Sequence, residues 1–113
     1  MLASMELRPP SYFALAALID GSLHGYAIVR RAAELSHGRV RLSTGTLYAV
    51  LDRALAESLV FAGDPYMKGG RQRRDYTLTA AGRLALAEES ERMERASKTV
   101  SARLRATTGP ITA

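Results

Sequence analysis

Two stretches of the chain carry residue types suited to noncovalent recognition of a polyanion. The first is Ser43-Thr44-Gly45-Thr46-Leu47-Tyr48, small, hydroxyl-bearing or flexible at its front and opening an amphipathic helix. Two threonines and a glycine in a first turn lower helix propensity without an evident packing return. A helix front that enters a DNA major groove has to be narrow. Hydroxyls and backbone N–H groups placed there can meet base edges and phosphates. Locally broken rules of this kind are expected at functional positions. The second stretch runs from Lys68 to Arg74 and holds Lys68, Arg71, Arg73 and Arg74 around a glycine pair, with no acid. Glycines let a loop approach a duplex closely, and arginines suit phosphate or a narrow minor groove.

The candidate DNA contacts are therefore Ser43, Thr44, Gly45, Thr46, Tyr48, Arg53, Lys68, Gly70, Arg71 and Arg73. Lys68 and Arg71 are the first candidates for phosphate, and Thr46 is read as a base reader. Two readings stay open for Tyr48: contact with sugar or phosphate, or a half-buried aromatic at the junction of helix and hairpin. Arg53 can reach backbone phosphate or pair with Asp52 or Glu57. Arg74 shares a face with Tyr76 and Leu78 and can serve the fold instead. Arg30 and Arg31 suit a solvated helix face.

The composition agrees with a polyanionic partner and excludes much else. The 113 residues suit one domain, and the net charge is +5 with a pI near 10.1. The absence of cysteine excludes disulfides and thiolate metal sites. His24 and His37 are too few and too isolated for a metal site, and neither has a nucleophile or carboxylate at motif spacing. No catalytic residue, metal or cofactor is expected. The longest apolar run, Tyr12 to Ile19, is far too short to span a membrane, so a cytoplasmic protein is expected.

The elements that must position these residues can be placed from periodicity and caps. Pro9 and Pro10 close a loose arm, residues 1–10, and Ser11 caps a helix from Tyr12 to about Ile19. A second helix fits Gly25 to Leu35, with Ile28, Val29, Ala32 and Leu35 on one face. Ser43 caps the third, in which Leu47, Val50, Leu51, Ala54 and Leu55 keep helical spacing; Leu42 and Leu47 can staple its start. Val60 to Ala62 suits a strand. The alternation from Arg73 to Leu78 suits the return strand of a hairpin whose basic loop is longer than the two-residue kind. Thr79 caps a last helix reaching about Arg105, at about 1.5 Å per residue too long to pack wholly on so small a domain. Leu86, Ser90, Met93, Ser97, Val100 and Leu104 follow the spacing of a coiled-coil seam along it and are the candidate dimer interface. Residues 11–78 thus read as a winged helix-turn-helix domain, 79–106 as a dimerisation helix and 107–113 as a disordered tail. The fold class is mostly α with a small β-hairpin.

Three motifs in order, His24-Gly25-Tyr26, Gly45-Thr46-Leu47-Tyr48 and Tyr76-Thr77-Leu78-Thr79-Ala80-Ala81-Gly82, resemble those of the PadR-like transcriptional regulators across Tyr12 to Leu104. The resemblance implies a homodimeric repressor on an inverted-repeat operator, with the C-terminal helix crossing onto the partner. It is closest to the compact branch with one C-terminal helix. Some compact members bind planar aromatic ligands between subunits through tryptophans, and this chain has none. Thr44 and Ala49 also stand where the family pattern commonly has proline. Two other readings accompany the regulator: a ligand-gated sensor with a small-molecule effector at the Ser90 and Ser97 level of the seam, and a winged-helix module that binds protein.

Overall fold

Side-chain caps set where most of the helices begin. In the computed structural model, which describes residues 6–107, α2 (Gly25–Leu35) is preceded by His24, α3 (Thr44–Ala56) by Ser43 and α4 (Ala80–Ala106) by Thr79. Ser43 Oγ accepts from the Thr46 N–H at 3.2 Å, and Thr79 Oγ1 from the Gly82 N–H at 3.0 Å. These bonds satisfy donors that a helix start otherwise leaves open.

The first helix departs from expectation. Ser11 does not cap it; α1 spans Pro9–Ala16, with Arg8 before it and both prolines in its first turn. Proline suits that position because first-turn N–H groups have no helical acceptor and its φ is already helical. Leu7 is buried, so the core begins within the segment read as a loose arm. The rest of that arm, residues 1–5, and most of the expected tail, 108–113, lie outside the described residues.

The core gathers around Leu15, Leu18, Ile28 and Leu51, each almost fully buried, where α1 packs on α2, α3 and the start of α4. The α3 stripe contributes Leu47, Leu51 and Ala54, as its spacing predicts. A three-stranded antiparallel sheet closes the domain in the order β1 (Leu23–His24), β5 (Asp75–Leu78), β2 (Val60–Ala62). Tyr76 of the central strand lies opposite both Leu23 and Ala62. A separate ribbon of β3 (Tyr66–Lys68) and β4 (Arg71–Arg73) forms the wing.

The wing corrects the hairpin reading. Lys68 pairs with Arg71, so the connection is the tight two-residue turn Gly69-Gly70, with φ of 59° and 76°. Positive φ at both central residues matches the twist of the flanking strands, and glycine adopts it without strain.

The start of α4 is wedged into the domain. A Cβ on Gly82 would lie 2.1 Å from the Leu59 carbonyl oxygen and 2.6 Å from Leu78 Cδ1. Only glycine permits that approach, and Thr79 locks it by donating its N–H to the same carbonyl at 3.0 Å. Leu86 and Glu89 are also buried, and the Glu89 carboxylate is ion-paired with Arg92. This bears on two residues of the expected seam. Leu86 packs in the core of its own protomer, and the Ser90 hydroxyl is hydrogen-bonded to Tyr12 Oη of α1 at 2.6 Å. From Glu91 to Val100 every residue is exposed, Met93 and Val100 included, and so is Leu104.

Candidate nucleic-acid interface

The front of α3 stands clear of the domain. Ser43, Thr44, Gly45 and Thr46 are all exposed, whereas Leu47 behind them is buried. Ser43 Oγ donates to Thr46 Oγ1 at 3.0 Å while accepting the Thr46 N–H. A hydroxyl has one hydrogen and two lone pairs, so the Thr46 hydrogen is left to be offered outward. The cap thus holds the Thr46 hydroxyl at the tip of the helix with its own hydrogen unused by Ser43. No Cβ placed on Gly45 would meet a neighbour within 4 Å, so nothing inside the domain requires glycine there.

The start of α2 crosses the start of α3 at close range. A Cβ on Gly25 would come within 3.1 Å of Leu47 Cδ2 and 3.5 Å of Tyr48 Oη. A side chain at the glycine of the His-Gly-Tyr motif would therefore press on Leu47 at the helix crossing. Beside it stands Tyr48, which is 48% exposed with its ring at the junction of α3, α2 and the wing. The half-buried reading of this residue is the one seen in the free chain, and its exposed part lines the space beside the wing.

A cleft of about 360 Å³ runs between these helix starts and the wing, lined by His24, Tyr26, Tyr48, Arg71, Arg73 and Arg74 among others. Arg73 Nη1 donates to His24 Nε2 at 3.0 Å, which ties the wing to α2. Burial, and next the Arg73 guanidinium, hold His24 below the ordinary histidine pKa. On the wing, the Tyr66 hydroxyl donates to Asp75 Oδ1 at 2.7 Å, and that bond raises the tyrosine's pKa. Burial does the same for Tyr76.

The candidate contacts thus divide. Thr44, Gly45, Thr46 and Tyr48 lie on α3; Lys68, Gly70 and Arg71 are exposed on the wing, and Arg71 also lines the cleft. Arg73 is half-buried and engaged with His24. Arg53 lies near the other end of α3, bonded to Glu57 at 3.4 Å and lining a separate hollow with Arg8 and Val50. Its pairing alternative is the one realised. Arg74 does not serve the fold by burial; it is exposed and lines the cleft. Arg31 is paired with Asp20 and Glu34, as a solvated helix face requires, and Arg30 lies over the Tyr26 ring at 5.9 Å. Sequence reasoning passed over His24 as a site residue. Its signal was its place directly before Gly25, which brings it under the wing.

Comparison with known proteins agrees with this geometry. The model of the transcriptional regulator PadR-like family matches residues 14–88. The "uncharacterized 37.1 kDa protein" of transposon TN4556 from Streptomyces fradiae is 43% identical over 93 residues. That match covers 82% of this chain and 25% of the relative, so the chain spans about a quarter of that protein's length. The transcriptional regulator Rv3488 of Mycobacterium tuberculosis is 37% identical over 81 residues, 72% of each chain. Among solved structures, a PadR family transcription regulator from hypervirulent Clostridium difficile R20291 superposes with a TM-score of 0.71 at 20% identity, covering 86% of this chain and 99% of that one. Bacillus subtilis PadR, solved in complex with operator DNA, gives a TM-score of 0.62 at 24% identity over 72% of this chain and 46% of that one. The two structures share this chain's winged-helix fold. Members of the family regulate transcription and are not enzymes. The chain described here belongs to the PadR-like family of transcriptional regulators.

Proposed function

We propose that the protein is a homodimeric repressor that binds an inverted-repeat operator. In this reading the DNA-binding domain, expected at residues 11–78, also takes in Leu7, the prolines of α1 and α4 as far as Ser90, and the rest of α4, to residue 106, joins two copies. The observation that carries it is the exposed, small front of α3, with Thr46 capped as an outward donor, beside a basic wing across one cleft. Thr44, Gly45 and Thr46 enter the major groove, where Thr46 donates to a base edge. Lys68 and Arg71 hold flanking phosphates, and Gly70 lets the wing tip approach the duplex closely. Tyr48 contributes a backbone contact from the junction. The operator complex of Bacillus subtilis PadR supports this mode of binding by analogy of fold.

Dimerisation is supported by the far part of α4. Met93, Val100 and Leu104 are exposed at 44%, 57% and 64%, and Ser97 completes their stripe at coiled-coil spacing. A two-fold dimer places two α3 fronts on two half-sites, which is why the operator should be an inverted repeat. As a regulator of transcription the protein would work in the cytoplasm, and no helix among the described residues is long and apolar enough to cross a membrane. Competition titration tests the proposal: DNA from upstream of its own coding region should displace a labelled copy of itself far better than a scrambled duplex. Equal displacement by the two would remove sequence-specific repression from the account.

A further inference from the structure

The cleft between α2 and the wing holds more hydrogen-bond donors than acceptors. Arg71, Arg73 and Arg74 line it with Tyr48 and His24, and no carboxylate does. The nearby acid, Asp75, already accepts from the Tyr66 hydroxyl. The shortage is sharpest at His24. The Ala27 N–H faces Nδ1 at 3.4 Å, and Arg73 Nη1 faces Nε2 at 3.0 Å. Both neighbours are donors, whereas a neutral imidazole has only one lone pair to accept with. The ring can accept from Arg73 or cap α2, but not both. The shorter contact is to Arg73, which sets the hydrogen on Nδ1 and leaves the start of α2 weakly capped.

We propose that this cleft seats a DNA backbone phosphate with Arg73 and His24 as its ligands, and that seating it couples DNA binding to proton uptake at His24. The inference rests on the DNA-binding reading above. A phosphate supplies the missing acceptors. Arg73 exchanges a neutral ring nitrogen for an anionic oxygen, which makes the stronger bond. His24 Nε2 no longer needs its lone pair and carries a hydrogen to the same phosphate. Arg71 and Arg74 line the same walls and offset the phosphate charge.

The sign of the proton linkage follows from what surrounds the ring. Besides burial, Arg73 of β4, Lys68 of β3 and Arg30 of α2 disfavour the imidazolium, while Asp75 of β5 favours it; Tyr48 of α3 and Tyr26 of α2 are the phenols in the same cleft. The free protein therefore keeps His24 neutral to below its ordinary range. A phosphate reverses that balance, so the bound state holds more protons than the free one. Affinity must then rise as pH falls through the histidine range. Stability of the free fold moves the other way, because a histidine whose folded pKa is lowered costs stability as pH drops below its unfolded value.

Fluorescence anisotropy on a labelled duplex of arbitrary sequence, about two helical turns long, tests the inference, since a phosphate contact ignores sequence. Between about pH 7.5 and about pH 5.5 the parent should tighten by about tenfold. His24→Gln can still donate to phosphate but cannot titrate. Whatever its affinity at the upper pH, it should show no gain in acid, because the amide does not titrate. Arg73→Ala should weaken binding at both pH values and lower the salt slope by about one. His37→Gln, away from the cleft, should keep the gain. A parent that binds this duplex with no acid gain, or a His24→Gln variant that keeps it, overturns the phosphate seat while leaving DNA binding standing. A parent that binds no duplex at either pH overturns the DNA reading and this inference together.

Discussion

From Ala80 to Glu89, α4 is built as part of a core; from Glu91 to Val100 the same helix has no buried residue. The near part is held by Gly82 against the Leu59 carbonyl, by Leu86 in the apolar cluster and by the Tyr12–Ser90 bond at its end. In the far part the exposed Lys98–Glu94 pair at 3.5 Å is typical, and exposed pairs of this kind contribute little. One uninterrupted helix of 27 residues thus has two different reasons to exist. Isolated helices are marginal in water, so most of a helix's stability has to come from packing of an apolar face. The near part finds that packing within its own protomer. The far part needs another surface, and in the proposed dimer a second copy supplies it.

This contrast can be broken most severely at the near end. Gly82→Val should destabilise the fold by about 3 kcal/mol or more, read as a lowered urea midpoint, because the new side chain overlaps a backbone carbonyl that cannot retreat. Leu86→Ala should follow at about 2–3 kcal/mol, from lost burial and the cavity left behind. A loss below about 0.5 kcal/mol would place Leu86 outside the core and restore it to the seam.

Changes in the far part should leave the protomer fold in place and act on assembly. Val100→Asp or Leu104→Asp should shift the sedimentation profile from dimer to monomer, while far-ultraviolet circular dichroism loses only part of its helical signal. Unchanged sedimentation would mean that the exposed stripe is not the joint. Smaller still, and sharper, is a change that should touch neither part of α4. Arg71→Ala should keep the melting temperature and the dimer, weaken binding to all duplexes alike and reduce the salt slope by about one. Thr46→Ala should leave overall affinity closest to the parent while altering preference at one base position, by about 1–3 kcal/mol of discrimination.

The sequence made most of this molecule legible where structure is local. Helical spacing placed α2, hydroxyl caps helped to place α3 and α4, all with nearly their observed bounds, and an apolar triplet placed β2. What escaped depends on partners distant in the chain. The strand Leu23–His24 is two residues long and exists only because Asp75 and Tyr76 pair with it. No periodicity can show in two residues. The seam spacing marks one stripe of α4, but spacing cannot say where the domain ends and solvent begins: Leu86 is buried in its own protomer, and Ser90, though exposed, bonds to Tyr12 of α1. The site was legible in the same uneven way. The α3 front and the wing stand out by composition, whereas the cleft needs α2, α3 and β4 brought together, and His24 gains its role only from Arg73, far along the chain. Arg74 was misassigned because strand alternation was carried one residue past β5 into the break before it.

The central claim is that two α3 fronts, joined through α4, read DNA sequence. Selection of bound duplexes from a random-sequence pool by the purified protein tests this most directly. The account predicts enrichment of a two-fold symmetric site whose half-sites lie about one helical turn or a multiple apart, bound about a thousandfold or more tighter than unselected DNA at the same salt. A pool that stays random after repeated rounds, from a protein that nonetheless binds duplex, would contradict it.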